Sequence, residues 1–135
     1  MQIAKATSVL VNRGEVIAPH LLRATIDNGQ QFDKQVMSEI ETYPPITDVK
    51  EKFWDLSIEG MRLVNHGKKG TARRSFYNTP YVSGGKSGTA QVFGLAEDEE
   101  YNADEIAEHL RDHALFTGFA PLEEPEVVVL SLIHI

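Results

Sequence analysis

Apolar residues near the start of the chain fall at helical spacing. Ile3, Ala6 and Leu10 predict a helix over residues 1–13, with Gly14 after Asn12 and Arg13 as its stop. Nothing precedes Met1 to cap that helix, which points to a truncated beginning. Val16 to Ile26 is apolar but broken by Pro19, predicting an extended segment, and Asp27-Asn28-Gly29 predicts a turn. Pro44-Pro45 marks residues 41–48 as a loop. A second helix is predicted over Phe53 to Asn65, with Trp54, Ile58, Met61 and Asn65 on one stripe and Gly67 beyond its end. Trp54 and Met61 are expected in the core.

Further along, the period changes. Lys68 to Ser75 is polar and basic, as in a surface loop, and Tyr81 to Phe93 reads as a strand interrupted by glycines. Asn102 with Glu105 three residues on opens a short helix that carries Ile106 and Leu110 on one face. Leu115 to Ala120 and Val127 to Ile133 predict two strands joined by a proline-bounded turn. The second is apolar almost throughout, as expected for a strand covered on both faces. These elements describe an α+β unit ending in an antiparallel hairpin.

Composition narrows the function classes. The 135 residues fit one domain or a piece of a larger one, and 41% hydrophobic with 24% charged residues is ordinary for a folded chain. Twenty acidic against thirteen basic residues leave a net charge of -7, which argues against nucleic acid as a partner. With no cysteine, neither a disulfide nor a thiolate site can form. Val127 to Ile133 is too short to cross a bilayer, so any membrane anchor or export signal is expected outside these residues.

The densest chemistry lies in Gly84-Gly85-Lys86-Ser87-Gly88-Thr89-Ala90. Glycines in a strand mark a bulge or close approach by a ligand or another backbone. Here they flank a lysine and two hydroxyls, a set suited to a carboxylate or a phosphate. The phosphate reading fails: a Walker loop needs glycine where Pro80 stands, and a helix where Thr89 to Phe93 reads as strand. Lys-Ser/Thr-Gly on a strand is, by contrast, one of the motifs of serine β-lactamases and penicillin-binding proteins.

The wider context is specific. Lys86 to Val92, Tyr101-Asn102-Ala103, Arg111-Asp112-His113 and Phe116 to Pro121 resemble penicillin-binding protein 2, the class B, elongation-specific transpeptidases of rod-shaped Gram-negative bacteria. Gln2 to Ala6 and Pro19 to Leu22 are similar to that family too, and the likeness extends to about Leu130. It implies a partial β-lactamase/transpeptidase-like fold, antiparallel strands carrying the Lys-Ser-Gly motif with flanking helices. By the same resemblance Lys86 belongs to the proton-relay and charge network near the nucleophile. Ser87 and Thr89 would bond the terminal carboxylate of a D-Ala-D-Ala stem peptide or a β-lactam, and Gly88 would leave room along the strand edge. The Thr89 N–H would supply half of an oxyanion hole. The resemblance also implies no metal or cofactor, a periplasmic domain on an inner-membrane anchor, and cell-elongation membrane proteins as partners.

Departures from the family pattern shape the expectation. No Ser-x-Asn occurs, and the one Ser-x-x-Lys, Ser83 to Lys86, overlaps the strand motif. Residues three apart in a strand lie roughly 10 Å apart on opposite sides, so Ser83 is not expected to be the nucleophile. Ser131 to Ile135 does not continue as the family does, and its closing helix is missing. The chain therefore reads as a C-terminal portion of a transpeptidase domain, residues 131–135 being a candidate non-native tail. A reading from another class is a non-catalytic β-lactam-recognising sensor or interaction module of the same fold. A serine β-lactamase is disfavoured by the long Phe93 to Leu115 insertion. His109 and His113, four apart on a predicted helix, read as a solvated helix end rather than a metal site. Glu97 to Glu100 reads as a solvated loop, lacking the spacing of a calcium loop.

Overall fold

The computed structural model describes residues 1–21, 43–91, 107 and 110–133, together with the backbone of 24–25, 36–37 and 134. The Asp27-Asn28-Gly29 turn, the Glu97 to Glu100 run, the Asn102 helix start and His109 lie outside the described residues.

Helix α1 (Gln2–Val11) forms where the helical spacing places it, but its buried face is rotated from Ile3 and Ala6, both exposed, to Thr7 and Val11. A threonine can occupy that face because its hydroxyl is satisfied. Thr7 Oγ1 donates to the Ile3 carbonyl at 2.9 Å and lies 3.0 Å from the Thr117 hydroxyl. The helix stops at Arg13 (φ 54°) and Gly14 (φ 96°), where the Gly14 N–H reaches the Val9 carbonyl at 2.8 Å. Left-handed backbone favours glycine. The Gly14 carbonyl then accepts the Ile46 N–H at 2.9 Å.

Strands β1 (Ala24–Thr25) and β2 (Val36–Met37) form a short antiparallel pair. Helix α2 (Glu51–His66) buries the predicted stripe: Trp54, Ile58 and Met61 are half-buried and Asn65 fully so. Arg13 joins the two helices, its guanidinium 2.8 Å from both Glu51 and Asp55.

Strands β3 (Gly84–Ala90), β4 (His113–Ala120) and β5 (Val127–His134) form one antiparallel sheet in the order β3-β4-β5. Lys86 pairs with Thr117, Ser87 with Phe116 and Thr89 with Ala114. The β4–β5 hairpin turns through a cis Ala120–Pro121 peptide, and the Leu122 N–H donates to the Val82 carbonyl at 3.0 Å, tying the turn to the lead-in of β3. Helix α2 packs on β3, while α1 packs on β4 and β5. The architecture is the α+β arrangement expected, with Phe119 and Val11 as its buried hydrophobic residues among those described.

Two local expectations are corrected. His113 opens β4 instead of closing a helix, so helical i, i+4 geometry with His109 does not apply to it. Strand β5 is not covered on both faces by the described residues: Val127 and Val129 are more than half exposed while Val128 and Leu130 turn inward. Alternate residues of a strand face opposite sides, and α1 packs on β5. Residues 131–134 continue the ladder in register, Ser131 opposite Phe116 and His134 opposite His113. No helix among the described residues is long and apolar enough to cross a membrane.

Candidate functional site

Strand β3 carries Lys86, Ser87, Gly88 and Thr89, and it lies at the sheet edge, with β4 on one side and no strand on the other among the described residues. Its first half is clamped. Gly84 and Gly85 are buried beneath α2 and two rings of β4. A Cβ on Gly85 would stand 2.5 Å from the Phe116 ring and 2.8 Å from Asn65 Oδ1, so only glycine allows this approach. Phe116 in turn stacks on Phe76 with ring centroids 5.8 Å apart.

The lead-in to the strand is locked by polar contacts. Ser83 is 2% exposed. Its Oγ accepts the Asn65 amide at 3.0 Å, and its backbone N–H donates to His66 Nε2 at 3.1 Å. That last bond fixes the tautomer: Nε2 is an acceptor, so a neutral ring carries its proton on Nδ1. The same Nε2 lies 3.3 Å from Ser83 Oγ. Among the described residues Asn65 Oδ1 has no hydrogen-bond partner, and it faces Gly85.

The second half of the strand is open. Lys86, Gly88 and Thr89 are exposed and Ser87 half-exposed. Lys86 folds back so that Nζ donates to the Ser87 carbonyl. Ser87 Oγ meets a residue the sequence analysis missed, Thr71, whose Oγ1 lies 2.9 Å away. Ser87 and Thr89 alternate with Lys86 and Gly88, so the two hydroxyls share one side of the strand. The site therefore offers hydroxyl donors and an ammonium along an exposed edge, which suits a carboxylate. Among the described residues no group of three His, Cys, Asp or Glu could hold a metal ion.

Asn65 carried a usable signal, a polar residue on an otherwise apolar helical stripe. His66 and Thr71 carried none, because their partners stand 17 and 16 residues away across a turn.

A Lys-Ser-Gly edge strand backed by helices defines the class: residues 1–134 match the penicillin binding protein transpeptidase domain, and the chain belongs to that family. Within it, the chain is 44% identical over 134 residues to the peptidoglycan D,D-transpeptidase MrdA of Escherichia coli K12, covering 99% of this chain and 20% of that protein. The MrdA of Haemophilus influenzae Rd is 40% identical over 137 residues, with 99% and 20% covered. Among solved structures, Pseudomonas aeruginosa PBP2 in complex with WCK 5153 matches with a TM-score of 0.70 at 37% identity, covering 98% of this chain and 25% of that one. Helicobacter pylori PBP2 in its complex with MreC matches at 0.67 and 24% identity, covering 98% and 20%, a likeness of fold alone. The chain spans about a fifth of the length of these curated relatives.

Proposed function

We propose that this chain is the C-terminal portion of a serine D,D-transpeptidase that cross-links peptidoglycan during cell elongation, and that β3 is its substrate-carboxylate strand. The observation that carries the reading is the exposed Lys86-Ser87-Gly88-Thr89 edge, held on a strand whose other half is clamped by α2. A stem peptide ending in D-Ala-D-Ala lies extended along this edge as an added strand. Ser87 and Thr89 bond its carboxylate, Gly88 leaves the backbone accessible, and the Thr89 N–H helps to stabilise the oxyanion. A β-lactam presents the same carboxylate and takes the same place. Lys86 contributes its charge to the relay around the nucleophile.

The nucleophile lies outside these residues. Ser83 stands near an imidazole and an amide, a grouping that can activate a hydroxyl. However, His66 Nε2 already accepts the Ser83 N–H, and Ser83 is too deeply buried to receive an acyl donor. Serine acylation uses no metal or cofactor. The reading also places the domain in the periplasm, on an inner-membrane anchor supplied by sequence beyond this chain. A membrane protein of the elongation machinery is the expected partner.

Intact-mass measurement after incubation with excess penicillin tests this. The 135-residue chain stays unmodified, whereas a longer gene product containing it gains one penicillin on a serine upstream of Met1. An adduct on Ser83 of the 135-residue chain would overturn the assignment.

A further inference from the structure

We infer that Thr71 is a positioning residue of the carboxylate site, its hydroxyl setting the direction in which Ser87 presents its proton. The inference rests on the proposed role of β3. Two hydroxyls 2.9 Å apart share one hydrogen bond, and either can donate. A carboxylate can only accept. For Ser87 to donate to it, the proton between the two hydroxyls must come from Thr71. An arriving carboxylate therefore selects one direction, Thr71 to Ser87 to ligand, and hydrogen bonds aligned in this way polarise one another.

The contact is built into the fold at both ends. Thr71 sits in the turn after α2, where the Gly70 N–H donates to the Gly67 carbonyl at 3.0 Å and the Ala72 N–H to the Val64 carbonyl at 3.1 Å. Gly70 packs so closely on α2 that a Cβ there would overlap the carbonyls of Leu63 and Val64. The turn therefore has little freedom relative to the helix. The helix is fixed to β3 through Asn65 and His66, both bonded to Ser83, and through the close approach of Gly85. Thr71 is thus held against Ser87 by two elements rather than by a wandering side chain.

A C-terminal amide distinguishes this arrangement from simple contact. It replaces one acceptor oxygen with a donor, so a directed Ser87 proton favours the acid over the amide. Calorimetric titration of the full chain with N-acetyl-D-Ala-D-Ala and with its C-terminal amide reads that preference. Thr71→Val keeps the shape and removes the hydroxyl, and it weakens acid binding on the order of three- to tenfold, with little effect on the amide. Thr71→Ser restores the preference, and Ser87→Ala loses it.

Thr71→Val binding the acid like the unaltered chain while Ser87→Ala fails would overturn the role of Thr71 and leave the proposed function standing. Thr71→Ser as weak as Thr71→Val, or loss of the native amide-proton dispersion in Thr71→Val, would make the residue a packing element only. An unaltered chain with no preference for the acid would remove the carboxylate site, and this inference with it.

Discussion

At the scale of single residues, the polar contacts around Ser83 govern where the open half of β3 sits. Asn65 is 1% exposed and gives its amide to Ser83, so removing it leaves a buried hydroxyl short of a donor. Asn65→Ala is expected to lower the unfolding free energy by roughly 1–3 kcal/mol in a urea titration. A change below about 0.5 kcal/mol, the range of an unremarkable surface substitution, would contradict the lock. Glycine at position 85 leaves room for Asn65 Oδ1, which a Cβ there would approach to 2.8 Å. These contacts explain how a strand so rich in glycine holds a defined edge. Its flexible residues are pinned by neighbours, not by their own conformational preference.

At the scale of elements, the joint between α1 and α2 shows which interactions matter. Arg13 pairs with Glu51 and Asp55, and hydrogen bonding to Asp55 first and Glu51 second raises its already high pKa. Its side chain is 45% exposed, so water screens much of that attraction. Gly14 bears more of the joint, with φ of 96° and no room for a Cβ beside the Ile46 carbonyl. Gly14→Ala should therefore cost about 1–2 kcal/mol, against less than about 1 kcal/mol for Arg13→Ala. Thermal melts of the two variants compare them, and the reverse order would mean that the ion pairs, rather than the turn, hold the helices together.

At the scale of the molecule, much of this arrangement was legible in the sequence because local signals agreed with the fold. Periodicity located both helices, glycines marked the strand approached by a helix, and the proline-bounded turn separated β4 from β5. The side of α1 that faces the sheet was not legible. Thr7 meets the hydroxyl of Thr117, 110 residues away, a contact that no local spacing reveals. The exposure of Val127 and Val129 was equally hidden, since an apolar run does not reveal how many layers cover it. In the candidate site, Lys86, Ser87, Gly88 and Thr89 were readable from the motif. Thr71 was not, because only the turn after α2 brings it to Ser87. Nitrogen-15 chemical-shift mapping of the chain with N-acetyl-D-Ala-D-Ala tests the central claim most directly. The account predicts saturable shifts concentrated at Lys86 to Thr89 and at Thr71. Saturable shifts centred away from β3, or no saturable shift at β3, would contradict it.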